Sequence, residues 1–547
     1  MSMIRILRAL LLMSLLLWNG VPSLYAENEG QAELDQATEA KLEAESLADL
    51  EKVANLVESA LKKGLSAENA KFANQLISSV LLDHANRLCE AIFKQSPPDR
   101  RWQFIRQVAM KDLERAIKAD PNLVEAHMLI AKLQALPGGD LKVAKSSIDA
   151  AVNLFKEDPA QLAQALVLRG QLSQDPEEQI KDYTSALNAD AKCVEALQAR
   201  ASVYLAQDKA EKAVEDLLKL LEIDANNLAV QGAVAETLAN LERFEDALKH
   251  VEKVITLNPR SSLGFTLRAR IYILQDKLKE ASADLDEALK LNPEDVMALM
   301  MRARVKTELN QLAEAKRDVE RALEIRPDLT QAVLLRSMIA AQAKKFGEAI
   351  ADIKILLQAD PQNVELRLQI GAYYVADNRP RKAIEMFTQM IESDEQNWQA
   401  HRARADAYLS IGEHAKAISD YEVALKASPE DSHVLNNLAW VLATSSDDSI
   451  RNAKRSIEIG LKACEVTKYL KPHILSTLAA GYAEAGEWET AIKWSTKAVE
   501  LSKQEADISE QLDKELESYK AKKPWREKQS VEENTKPLDA KRDDLEA

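Results

Sequence analysis

Seven alanines, Ala213, Ala247, Ala281, Ala315, Ala349, Ala383 and Ala417, stand at steps of 34 residues, and few architectures tolerate so fixed a register. Five prolines, Pro259, Pro293, Pro327, Pro361 and Pro429, each follow a ladder alanine by twelve residues, with Glu395 in the vacant place between the last two. Between these marks apolar residues recur at helical spacing. A period of roughly 20–50 residues filled with such segments is the signature of stacked helical hairpins. One hairpin cannot cover its own apolar face, so each must lean on its neighbours and the core is spread along the array.

Composition agrees with helix. Of 547 residues, 46% are hydrophobic, only 5% are aromatic and only 14 are glycine, a balance that favours an all-α chain over a sheet. The net charge of −16 argues against a nucleic-acid partner, because phosphate binding draws on Lys and Arg releasing counterions. An acidic surface also keeps an elongated chain from associating with itself.

Residues 1–26 read as a signal peptide: Arg5 and Arg8, an apolar run from Ala9 to Trp18, and Ser23-Leu24-Tyr25-Ala26 before Glu27. The run is shorter than the roughly 20 residues that cross a bilayer. The reading predicts an exported chain, periplasmic or extracellular in the cell envelope, without an integral membrane span once mature; an uncleaved anchor is the alternative. Cys89, Cys193 and Cys464 lie far apart without metal-ligand spacing, so they read as small buried apolar residues.

Along the chain, 27–65 is expected to be an acidic lead-in, helical or disordered, with helical periodicity starting at Leu47. Residues 66–191 hold irregular hairpins, broken at Lys94 to Arg101, with an enlarged turn at Leu136-Pro-Gly-Gly-Asp140 and a shortened one at Ser173-Gln-Asp-Pro176. Seven units of unvarying length fill 192–429, and looser units and a cap fill 430–505. Irregular ends are expected, since only interior units must match a neighbour on both sides. Residues 506–547 read as a charged helix to about Lys523, then a disordered tail from Pro524.

In the unit ending at Pro293, the residues Phe265, Ala269, Tyr272, Ala281, Leu285, Ala288 and Pro293 stand where the tetratricopeptide repeat has W, G or A, Y, A, F or Y, A and P. The chain resembles that family over about 66–505, some twelve hairpins, although Leu217, Val251 and Ile353 replace the second-helix aromatic. Leu435-Asn-Asn-Leu-Ala-Trp440, Glu517-Ser-Tyr-Lys520 and Pro524-Trp-Arg-Glu527 resemble the ends of such proteins from bacterial envelopes. The resemblance implies a right-handed superhelical α-solenoid of stacked helix-turn-helix hairpins, with a concave face, built from first helices, that receives peptides or partner helices. Arg270, Arg304, Arg402, Asp406, Asn436 and Trp440 are the candidate binding positions on that face, with Glu195 and Glu236. Arg270 and Arg304, one repeat apart, suit an acidic segment. The family's clamp for a free peptide C-terminus is not matched.

One pattern is read from this chain alone. Arg200, Arg268, Arg302, Arg336 and Arg404 precede the small first-helix position, and sixteen residues on stand Asp216, Asp284, Asp318, Asp352 and Asp420; Arg169 and Asp182 repeat this in the shortened unit. Units with Val234 or Ile370 instead of arginine carry His250 or Met386 instead of aspartate. Matched presence and absence predict a pair bridging the two helices of each unit.

Chemistry-bearing motifs are missing. The seven histidines are scattered without zinc-helix spacing, and there is neither a phosphate loop nor a nucleophile elbow. The sequence therefore predicts no catalytic, cofactor or metal residues. It reads as a non-catalytic scaffold or adaptor for protein or peptide partners in the cell envelope. The alternatives are an accessory subunit or cryptic enzyme using the irregular N-terminal region, and a membrane-tethered assembly factor.

Overall fold

The computed structural model describes residues 28–94, 100–155, 158–502, 506–527 and 533–538; residues 1–26, read as a signal, lie outside them. Among the described residues the chain forms 27 helices and no strand. It is an all-α array of helical hairpins, divided into two compact units, residues 1–259 and 260–547.

Local chemistry sets the hairpin. Several first helices open on a side-chain cap: Ser261 for Ser262–Leu274, Asp295 for Val296–Glu308, Asn363 for Val364–Ala376 and Asp431 for Ser432–Thr444. Each cap satisfies one or two of the otherwise unbonded N–H groups of the first turn. The connection to the second helix then passes through a left-handed residue at the same register in every regular hairpin: Asp208, Glu242, Asp276, Asn310, Lys344, Asn378 and Gly412, with φ between 55° and 76°. There the N–H of Lys277 reaches back to the carbonyl of Tyr272 at 2.8 Å, closing the first helix and reversing the chain.

Smallness lets the two helices meet. All seven ladder alanines are fully buried, as are Ala235, Ala269, Ala303 and Ala405 on the facing first helices. In the hairpin Val364–Ala376 and Pro380–Ser393 the small residue is Gly371, and a Cβ there would lie 2.2 Å from the Phe387 ring. Second helices are amphipathic, whereas first helices spread their apolar residues around the helix because they are packed from two sides.

The first unit holds six hairpins, from Gln31–Glu43 with Leu47–Lys63 to Leu228–Asn240 with Phe244–Leu257. The expected lead-in is therefore structured. Leu34 and Ala37 pack on Leu50, Val53 and Val57, and the Gly30 N–H donates to the Gly64 carbonyl at 2.9 Å. Disorder is overruled because the Leu47–Lys63 face needs a cover and two apolar side chains suffice to supply one.

The second unit holds seven hairpins, from Ser262–Leu274 with Leu278–Leu291 to Pro472–Glu484 with Trp488–Ser502, and a closing helix, Ala506–Lys520. That charged helix turns Leu512, Leu516 and Tyr519 inward and seals the last hairpin. The tail also departs from the expected disorder. Trp525 packs beside Trp440 and Trp488, the Glu527 N–H donates to the Thr444 carbonyl at 3.1 Å, and residues 533–538 lie against the hairpin 364–393. A few apolar anchors in a charged stretch are enough to dock it; 528–532 and 539–547 lie outside the described residues.

Candidate functional site

The arginine–aspartate pairs come first because they hold the first helices in place. Arg302 donates through Nε and Nη2 to the two oxygens of Asp318 at 2.8 and 2.6 Å. Arg200 with Asp216, Arg268 with Asp284, Arg336 with Asp352, Arg404 with Asp420 and Arg169 with Asp182 repeat the fork at 2.6–2.9 Å. Such planar two-bond pairing is specific to guanidinium. The structure adds a third bond not visible in the sequence. Nη1 of Arg302 reaches Asp286, Nη1 of Arg200 reaches Thr184 and Nη1 of Arg404 reaches Thr388, each sixteen residues upstream on the second helix of the preceding hairpin. One side chain thus ties its own hairpin together and to the one before.

With the first helices fixed, one face of each is left outward. On Ser262–Leu274 it carries Leu263, Arg270 and Leu274; on Val296–Glu308, Met297, Arg304 and Glu308; on Thr330–Gln342, Gln331, Leu334, Met338 and Gln342. The spacing i, i+3 or i+4, i+7, i+11 places them in line on each helix. Met297 is 67% exposed, Met338 53% and Leu263 46%. Arg270 and Arg304 are exposed among them. The sequence named the two arginines and missed the apolar members, because a first helix with apolar residues on several sides does not reveal which side is uncovered.

Arg402, Asp406, Asn436 and Trp440 bond to named partners within the molecule. Arg402 donates to Asp431 at 3.0 Å. Asp406 accepts from the Tyr421 hydroxyl at 2.6 Å and from Asn437 at 3.1 Å, with His433 Nε2 3.2 Å from both oxygens. Burial works to raise the Asp406 carboxyl, but hydrogen bonds from His433 and Tyr421 hold it below the usual value. Asn436 donates to Asn437 at 3.2 Å, and the Trp440 indole donates to Glu527 of the tail. In the first unit, Glu195 is exposed and Glu236 half-buried.

Among the described residues, no group of three or more His, Cys, Asp or Glu could hold a metal ion. The three cysteines are free and buried, and burial pushes the Cys89 and Cys464 thiols up to about 12. His84 meets Asp112 at 2.6 Å and His401 meets Asp420 at 2.8 Å as satisfied buried pairs. An open cavity of about 790 Å³ beside the enlarged turn is lined by Arg106, Met110, Lys111, Glu114, Asp140 and Lys142. No described helix is long and apolar enough to cross a membrane.

Comparison with known proteins follows the same register. Family models described as tetratricopeptide repeat match residues 194–227, 266–328, 300–364 and 368–432. A tetratricopeptide repeat and J domain-containing co-chaperone of Cryptococcus neoformans is 27% identical over 133 residues, 23% of this chain and 25% of its own; the chain thus spans about a quarter of that relative's length. Among solved structures, YrrB, a TPR protein with an unusual peptide-binding site, is 22% identical, with 34% of this chain and 96% of its own covered and a TM-score of 0.30. A tetratricopeptide repeat protein of Parabacteroides merdae is 17% identical, with 55% and 98% covered and a TM-score of 0.33. On the repeats matched within residues 194–432, and on the hairpin register that contains them, the chain is a tetratricopeptide-repeat protein.

Proposed function

We propose that this protein is a non-catalytic scaffold that binds a partner protein through the first-helix face of its second unit. The observation that carries this reading is the exposed stripe of Leu263, Met297, Leu334 and Met338 with Arg270 and Arg304 one repeat apart. Exposed apolar patches rimmed by charge mark interaction sites, and methionine adapts its shape to what it meets. The stripe suits an amphipathic segment whose acidic residues face the two guanidinium groups. Export to the cell envelope is part of the proposal and is supported by the signal-like residues 1–26. A mature protein beginning at Glu27 is the expected finding; retention of residues 1–26 favours the membrane-tethered reading instead.

The test is capture of partners from the protein's own envelope extract by the intact chain and by the double variant Arg270→Glu, Arg304→Glu. The reversal should lower recovery of the main partner about tenfold or more, as loss of roughly 1.4 kcal/mol or more would do. An unchanged partner profile, or turnover of a small molecule by the purified chain with no partner recovered, contradicts the scaffold reading.

A further inference from the structure

The hairpin 364–393 is the odd member of the regular array. It lacks the arginine–aspartate pair, having Ile370 and Met386, and it lacks the proline after its second helix, having Glu395. It is also where the C-terminal tail returns. The Asn534 N–H donates to the Asn378 carbonyl at 2.9 Å, and the Asn534 side-chain amide donates to Asp377 Oδ1 at 3.0 Å. Arg379 donates through Nη2 to the Lys536 carbonyl and through Nε to Asp377. Arg381 forms an ion pair with Glu533 at 2.8 Å, and Leu538 packs against the core cluster containing Tyr373, Tyr374 and Phe387.

The turn is built for this occupant. At the register of Arg379 the four other regular hairpins of this unit carry Lys277, Gln311, Lys345 and Glu413, all exposed, whereas Arg379 is only 7% exposed. A guanidinium this buried keeps its charge only against acceptors, and the tail carbonyl is one of them. Within the tail, the Lys536 N–H donates to the Asn534 side chain at 3.1 Å, and the chain bends at Lys536 just before Pro537. Two of the bonds are made by the tail's main chain, so shape and a few side chains decide what fits.

We propose that the turn Asp377–Arg381 is a docking site for a peptide bearing an acidic residue and asparagine followed, after a bend, by a Pro-Leu pair, and that residues 533–538 occupy it in cis. A partner segment of that chemistry then binds only by displacing the tail. The six Cα–Cα steps from the anchored Glu527 to Glu533 span at most about 21 Å, which keeps the tail near its site. A tether of that length holds a competing ligand at an effective concentration of about millimolar. This inference does not depend on the partner proposed for the Arg270 and Arg304 stripe.

A fluorescent peptide of residues 531–540 is titrated into the full chain and into the full-length double variant Asn534→Ala, Leu538→Asp, whose tail is weakened while the turn is intact. The variant should bind the peptide about tenfold or more tighter than the natural chain, in line with removal of a tethered competitor. Adding Asp377→Ala and Arg379→Ala to the variant should abolish binding, and Arg270→Glu should leave it unchanged. Equal binding by the natural chain and the variant, including no binding by either, overturns the proposal. So does a dimer of the natural chain, seen by light scattering, that dissociates in the tail variant, since the tail would then dock on a second copy.

Discussion

A guanidinium that grips two carboxylate oxygens and a third acceptor on the preceding hairpin does more than an exposed ion pair, worth roughly 0–1 kcal/mol. Arg302 and Asp318 are mostly buried, so removing Arg302 strands the Asp318 charge and removing Asp318 leaves Arg302 with Asp286 alone, at a cost of about 3 kcal/mol. Arg302→Ala and Asp318→Ala should each show a loss of that order in urea denaturation, and the double variant much less than the sum. Strict additivity contradicts the pairing. Glu515 allows a test of opposite sign. Burial, the main cause, raises its carboxyl above 4.5, with Ser476 and Gln511 donating to it. Its stabilising contribution is therefore complete below the unfolded value and is lost as pH rises through the higher folded value. Glu515→Gln should stabilise the chain at neutral pH and not at pH values below about 4; a neutral-pH loss contradicts the assignment. The forks were legible in the sequence because arginine and aspartate are present or absent together. Their third acceptor was not, because Thr184, Asp286 and Thr388 share a position but not a residue type.

At the scale of the helix and its turn, the chain economises on glycine. Only Gly412 among the seven regular inter-helix turns has the residue that left-handed backbone favours; the other six accept strain of about 1 kcal/mol or more. Lys344→Gly should therefore raise stability by about 0.5–1 kcal/mol, read as a higher urea midpoint with unchanged slope; a lower midpoint contradicts the turn geometry. The alanine ladder disclosed the hairpins because a helix crossing that tolerates nothing larger leaves a fixed mark. The helix Gln31–Glu43 left no such mark: only Leu34 and Ala37 are buried, too few to stand out among Glu and Gln. The docked tail was equally hidden, since Trp525 and Leu538 are isolated apolar residues in a charged stretch, and Leu538 packs on a cluster whose Tyr373 lies 165 residues away in sequence (373 to 538 is 165).

For the molecule as a whole, the account rests on the outward face of three first helices in a chain of net charge −16. Arg270 and Arg304 were readable there from register, while Met297 and Met338 became visible only once neighbouring hairpins had covered the other sides of their helices. Asp406 and Trp440 hold equivalent positions on later first helices and are committed to internal bonds, so register alone does not define the binding face. The most direct test places a photoreactive residue at Met297 or Met338, or at the exposed Glu324 on a second helix as control, in the intact protein in its own cells. A discrete protein adduct is expected at Met297 and Met338 that disappears when Arg304→Glu is added, and none at Glu324. No adduct at either methionine, or the same adduct at Glu324, contradicts the scaffold reading.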